Sequence, residues 1–352
     1  MSRVGIFATV GGVLAGLMLG CSSPSSLSSP PRGRTHGSSP NTGATGASSP
    51  SAHGSAKYRA AVDAAASRHL SVWLESDLVR RWWEGPASLA EAVAKLAKLG
   101  ARPGVVGVKI ADELGQDDGL VGDRQVLAFL ADASSAVRRA LPGKRVLIDM
   151  VVPELGCVPG VTTVAAQSAG CAAAARSRWP GTTVAIADAI VRSGDIDVLD
   201  LSTGLRTNSY YAAFGLDRDA AQRAAWAEVD RLGWAQHVTL QARKALAQAG
   251  GYAADDAQAA ADLNTWVDTP LASGAQAVDV WTWHQSYRGG TAMLMSPGLA
   301  TNALWQGLLE RKADRGRLIT HFSPSSTELS LTQDLDRLAE VFGSVFIAAG
   351  TG

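Results

Sequence analysis

The stretch GVVGVKIADELG, residues 104–115, alternates branched apolar residues with Gly107, Lys109 and Ala111, then ends on Asp112 and Glu113. A period of two marks a strand whose faces meet different surroundings. Val106, Val108 and Ile110 form one face, and Gly107, Lys109, Ala111 and Glu113 form the other. The branched face suits packing beneath helices. The face with a lysine and a glutamate calls for a polar interior, because a buried charge is costly unless it is paired.

The same rhythm recurs along the chain. Strand-like runs start at LSVWLES (70), RVLIDMVV (145), TVAIAD (183), IDVLDLS (196), HVTLQAR (237), AVDVWTW (277) and RLITHF (317). Between them lie helical patterns. SLAEAVAKLAKLG carries a capping-box spacing from Ser88 to Glu91 and closes on Gly100. DRQVLAFLADASSAVRRALPG places Val126, Leu130, Val137 and Leu141 near helical spacing and stops at Pro142 and Gly143. Alternating strands and helices predict a parallel sheet. Eight such runs point to an α/β fold of the (β/α)8 barrel type, TIM-like, more than to an open doubly wound sheet. No glycine-rich phosphate loop follows the first run, which weighs against dinucleotide binding. The link DAIVRSGD between the fourth and fifth runs is short for a crossover, and LGWAQHVTLQARKALAQAG also reads as a helix.

The start of the chain is of another kind. VGIFATVGGVLAGLMLG follows Arg3 and reads as the apolar core of a signal peptide, residues 1–20. It runs into LMLGC, with Cys21 followed by SSPSS. This resembles the lipobox of bacterial lipoproteins, with Met18 standing where that family usually has leucine. The resemblance implies cleavage before Cys21, a lipid on that cysteine, and an extracytoplasmic protein anchored to the bacterial cell membrane. The alternative is plain secretion with Cys21 as an exposed thiol. Residues 21–56 are rich in Ser, Pro, Gly, Thr and Ala and read as a flexible tether. Residues 57–352 then form one barrel domain. Lys and Arg total 32 against 32 Asp and Glu, with no basic block, so no nucleic-acid partner is implied. Cys157 and Cys171 lie in a compartment that permits a disulfide, and their pairing stays open. No HExxH, GxSxG or zinc-like spacing occurs, and no metal or cofactor is implied.

Period-two reading of the other strands gathers Glu75, Lys109, Glu113, Asp149, Gln241, Arg243 and Asp279 on the inner surface. Active sites of such barrels lie at the carboxyl ends of the strands. Glu75, Glu113, Glu154, Asp188 and His284 are expected at or just beyond those ends, with Lys109, Asp149 and Asp279 deeper. Asp112 falls on the opposite parity to Glu113 and reads as a loop cap. Asp200 shares the parity of Val198 and points inward only if a bulge intervenes.

Ten tryptophans stand beside five tyrosines and six phenylalanines. Trp73, Trp281 and Trp283 sit on strands that carry inward polar residues. The segment WTWHQSYRGG adds His284, Gln285, Tyr287 and Arg288, and STGLRTNSYYAAFG adds Arg206, Asn208, Tyr210 and Tyr211. Rings beside carboxylates and amides suit a sugar, which stacks through its C–H faces and hydrogen-bonds through its hydroxyls. The other reading is that these tryptophans fill the barrel mouth.

In a broad sense, the chain resembles the barrel glycoside hydrolases: a secreted strand–helix alternation, acids at strand ends, and VWTWHQ near the seventh run. That superfamily commonly has one acid after the fourth strand and one after the seventh. Here the fourth run offers Asp188, while the seventh ends in Trp283 and His284, a departure from that pattern. The resemblance implies a carbohydrate substrate and carboxylate acid/base catalysis. Glu113 is expected to be the proton donor and Asp188 the nucleophile or base, with Glu75 next in line and Asp149 supporting from below. Trp73, Lys109, Tyr210, Gln241, Arg243, Trp281, Trp283 and His284 are expected to contact substrate. Two alternatives remain: a non-catalytic glycan- or ligand-binding lipoprotein on the same fold, and a Schiff-base enzyme using Lys109.

Overall fold

In the computed structural model, residues 50–116, 118–120, 122–158, 160–287 and 290–348 are described, apart from the side chains of 50–55 and of Tyr287. The expected signal peptide, Cys21, most of the tether and Arg288 lie outside these residues.

Eight parallel strands close into a barrel. They are β1 (Ser71–Glu75), β2 (Val105–Ala111), β3 (Arg145–Val151), β4 (Val198–Ser202), β5 (Thr239–Ala245), β6 (Ala277–Trp281), β7 (Leu318–Phe322) and β8 (Ser344–Ala348). Each neighbours the next in sequence, and β8 pairs with β1 from Ser71–Ser344 to Glu75–Ala348. Helices separate consecutive strands, giving a (β/α)8 TIM-like barrel. An added helix, Pro50–Ala66, packs on β1, β8 and the helix Leu331–Leu338. Its first seven residues fall within the stretch read as tether; Pro50 opens it, and the alanines that follow propagate it.

Seven of the eight expected strand runs are strands. The run at 183 is instead the helix Val184–Ser193. Thr183 caps it, its Oγ1 accepting from the Ile186 amide at 3.2 Å. Ile186, Ala187, Ile190 and Val191 bury at helical spacing, a pattern that the short VAIA run conceals. The missing strand is the five-residue β8 at the end of the chain. The helix expected from Ser88 begins at Pro86, with Gly85 as its cap; Ser88 Oγ donates to Glu84 rather than closing a capping box.

Two apolar cores flank the sheet. The larger lies between strands and helices and takes Val72, Leu74, Val108, Ile110, Val146, Ile148, Leu199, Leu240 and Val280. The smaller fills the lower barrel with Trp73, Leu147, Val198, Ala277, Ile319 and Phe346. Gly107 makes room for it: a Cβ there would lie 2.2 Å from the Trp73 ring and 2.5 Å from the Arg145 carbonyl oxygen. A three-stranded antiparallel sheet of Gln248–Ala249, His284–Tyr287 and Gly290–Met293 is built from the loops after β5 and β6.

Candidate active site

Above the apolar floor, seven of the eight strands each send an ionisable side chain inward: Glu75 from β1, Lys109 from β2, Asp149 from β3, Asp200 from β4, Arg243 from β5, Asp279 from β6 and His321 from β7. Phe346 of β8 completes the ring, its centroid 4.6 Å from that of His321. Asp112 and Glu113, just past β2, stand over the cluster.

Lys109 is the hub. Its side chain is fully buried, and Nζ lies 2.7 Å from Glu75, 2.7 Å from Asp112 and 2.6 Å from Asp149. Arg243 spans the other side, 2.8 Å from Asp149, 3.4 Å from Asp112, 3.6 Å from Glu113 and 3.6 Å from Asp279. His321 bridges Glu75 through Nδ1 at 3.0 Å and Asp279 through Nε2 at 2.8 Å. Asp149 also accepts from the Glu113 amide, which ties the mouth loop to the floor. Glu113 occupies φ +47°, a left-handed conformation that turns the chain away as β2 ends.

Solvent reaches only the top of this cluster. The side chains of Glu75, Asp112 and Glu113 are 19%, 32% and 19% exposed, while Lys109, Asp149 and Asp279 are sealed. Charge balance then sorts the acids. Burial works to raise the Glu75 carboxyl, but His321 and Lys109 outweigh it and hold it down at about 2. Burial pushes the same way at Asp112, yet Lys109 and Arg243 keep that carboxyl well below its usual range. At Asp149 burial prevails over Arg243 and Lys109 and lifts the carboxyl to about 7. Asp200 goes well above the carboxylate range, through burial and through its neighbours Asp279 and Asp149. Neither of its oxygens has a hydrogen-bond partner among the described residues, which suits a neutral acid. Burial alone would lower the His321 imidazole, but Asp279 and Glu75 raise it to about 10, so it is a cation at neutral pH. Lys109 is likewise held above its ordinary range by Asp112, Asp149 and Glu75 against the effect of burial.

Of the residues expected here, Glu75, Lys109, Glu113, Asp149 and Arg243 do meet. Gln241 is inward but buried below them, level with Asp200 and Ala277. Several expectations are corrected. Asp188 lies on the outer helix Val184–Ser193, where it accepts from Arg192 and from Trp234 Nε1, so it is no partner for Glu113. Trp73 is 3% exposed in the barrel floor and stacks near Phe346. Trp283 is buried behind the sheet against Trp305 and donates to Asp334 at 3.0 Å. Tyr210 packs in a separate apolar cluster between Tyr211 and Phe214. Only Trp281, at the carboxyl end of β6, is a partly exposed strand tryptophan near the mouth. Glu154 is a structural acid that takes the Val184 amide and Arg176. Asp112, read as a cap, is an ion-pair partner of both cations. His284 pairs with Glu328 rather than with the cluster. Cys157 and Cys171 are bonded, pinning the loop after β3 to the helix Ala165–Arg178.

Two members escape the sequence reading. His321 lies in an apolar run, RLITHF, and its parity with Ile319 of the inner floor points it inward. Asp200 needs no bulge, because Val198 beneath it belongs to the inner floor.

No family model matches the chain, and no curated protein does. Solved structures do align with it. A GH18 chitinase from Pseudoalteromonas aurantia aligns at 12% identity over 80% of this chain and 94% of that one, with TM-score 0.43. A thermostable mutant xylanase from Cellvibrio japonicus aligns at 14% identity over 68% and 76%, with TM-score 0.40. The carboxyl transferase domain of Rhizobium etli pyruvate carboxylase aligns at 10% identity over 88% and 45%, with TM-score 0.36. The chain is similar to all three, enzymes of differing chemistry.

Proposed function

We propose that the barrel mouth is a hydrolytic site for glycosidic bonds, with Glu113 as proton donor and Glu75 as the ionised carboxylate that attacks or activates water. The observation that carries this reading is the pinning of a solvent-reaching carboxylate, Glu75, between Lys109 and His321 beside a second mouth acid. Two carboxyl groups of opposite protonation state are what such hydrolysis requires. Glu75 stays ionised far below neutral pH. Glu113 stands at the same mouth, its Oε1 3.6 Å from Arg243. Glu75 thus takes the place expected of Asp188. Asp149, Asp279 and Asp200 lie beneath and set the charge of the floor.

The alternatives have less support. A non-catalytic glycan binder relied on an aromatic groove, yet Trp73 and Trp283 are buried. A Schiff-base role needs a neutral amine, whereas Lys109 touches three carboxylates. In this reading a lipid on Cys21 holds the enzyme outside the cell membrane; palmitate labelling lost in Cys21→Ser checks that part.

The test is a screen of the purified protein against cell-wall and plant polysaccharides, reading reducing ends released. Glu113→Gln and Glu75→Gln are expected to lower the rate by at least about 100-fold, the usual worth of a positioned acid or base. Full activity in Glu113→Gln, or no release from any glycan by the folded protein, overturns the assignment.

A further inference from the structure

Trp83 is one of two large apolar side chains that stand open to solvent among the described residues, at 47% exposure. It ends the short helix Val79–Trp83, which follows β1, the strand that carries Glu75. A single exposed apolar residue is ordinary on a protein surface. This one is held in place. Its Nε1 donates to the Asp118 carbonyl oxygen at 3.3 Å, across to the loop after β2. Asp118 is itself fixed, because its carboxylate accepts from the amides of Gly115 at 2.7 Å and Leu120 at 2.9 Å. The indole also meets the Trp82 ring edge to face, with centroids 4.9 Å apart. Trp82 is anchored in turn: its Nε1 donates to Asp132 at 2.8 Å, and its ring packs on Phe129.

The position matters as much as the rigidity. Both acids of the proposed reaction come from this side of the mouth, since Glu75 ends β1 and Glu113 follows β2. Trp83 ties the two loops together. Trp82 joins it to the helix Asp123–Ala140, so the ring belongs to the outer rim and not to the charged cluster. Its one polar atom is already bonded to Asp118, so what it offers a ligand is its flat apolar ring. An immobilised ring loses little freedom when a partner stacks on it. The C–H face of a sugar is such a partner. Beside the ring in sequence, Glu84 supplies an acceptor for hydroxyls: its carboxylate is 42% exposed and is held by Arg81 at 3.0 Å and Ser88 at 2.6 Å.

We propose that Trp83 is a stacking platform for a sugar unit away from the bond that is cleaved. The substrate is then a polymer or long oligosaccharide whose chain leaves the barrel across the β1–β2 side. The course of that chain rests on the glycosidase reading, whereas sugar binding at Trp83 is measurable without it.

Binding is therefore read apart from cleavage. The full chain carrying Glu113→Gln is titrated by calorimetry with the β-1,4-linked hexamers of glucose, xylose and N-acetylglucosamine, and with their dimers. At least one hexamer is expected to bind, and more tightly than its dimer. Its Kd rises by about 10-fold when Trp83→Ala is added, the loss of one aromatic stacking contact. Trp83→Leu, which keeps apolar bulk against Trp82 but has no flat face, weakens binding as much, and Trp83→Tyr recovers most of it. Leu329→Ala removes the other large exposed apolar side chain and leaves the Kd unchanged. A hexamer bound as tightly by folded Trp83→Ala or Trp83→Leu protein as by its parent overturns the proposal. So does a folded protein that binds no hexamer, or binds hexamer and dimer alike. A hexamer that binds through Trp83 but is not cleaved by the wild-type chain supports the platform and overturns the glycosidase reading instead.

Discussion

Lys109→Met is the sharpest test of the barrel interior. Methionine fills much of the lysine stem but leaves three carboxylates without their common cation. The replacement partners are unequal. Asp149 keeps Arg243 at 2.8 Å, Asp112 keeps it at 3.4 Å, and Glu75 keeps His321 at 3.0 Å. Each acid thus retains one cation, so the loss falls at the lower end of what removing one buried partner costs, about 3 kcal/mol, and not at three times that figure. For a domain of this size that corresponds to a fall in Tm of roughly 5 °C. The deficit depends on pH. At neutral pH the orphaned acids repel one another; as pH falls they take up protons and the repulsion fades. Urea unfolding of both proteins at pH 7 and pH 4 measures it, and the gap in midpoint should narrow at pH 4. A variant as stable as wild type at pH 7 would refute the hub role, and a gap that does not change with pH would refute its electrostatic origin.

Three further outcomes are expected. His321 has a folded-state pKa near 10 against an ordinary 6.5, so its contribution is full below about 6.5 and is lost as pH rises through about 10; His321→Gln should flatten the alkaline limb of a Tm–pH profile. Asp149 is also raised, from 3.8 to about 7, so its contribution is present below about 3.8 and disappears as pH rises through about 7; Asp149→Asn should remove that slope from denaturant titrations across the interval. Gly107→Ala pushes a methyl group to 2.2 Å from Trp73 and 2.5 Å from a backbone oxygen, and should cost at least about 1–3 kcal/mol, read by thermal melting with a change in tryptophan fluorescence.

Much of this interior can be read from alternation alone. Period-two parity places Glu75, Lys109, Asp149, Gln241, Arg243 and Asp279 inside because a barrel strand has only two faces. Parity fails where its premise does. The inner face was expected to be polar, but the lower barrel is as apolar as the helix-facing side, so Val198 pulled Asp200 to the wrong face. Asp112 lies past the end of β2, where alternation no longer applies and only the fold shows which cations it meets. Asp188 was misplaced because VAIA satisfies both a strand and a helix over four residues, and Thr183 as a cap was the deciding sign. The final strand, SVFIA, has too few residues to carry a period. Its existence follows from closure, since seven strands leave β1 with an unpaired edge. The burial of Trp73 and Trp283 depends on contacts with Phe346 and Trp305, far away in sequence.

Glu75 and His321 meet across 246 positions of chain, on strands separated by β8. Until the last strand arrives, neither the His321–Glu75 pair nor the seal over Lys109 and Asp279 can form in its final geometry. A chain stopped before β8 would keep the acid partners of Lys109 and Arg243, which lie on or beside earlier strands, but would leave the edge between Glu75 and His321 open to water. Fragments that end before residue 344 are therefore expected to gather as aggregation-prone intermediates instead of stable half-barrels.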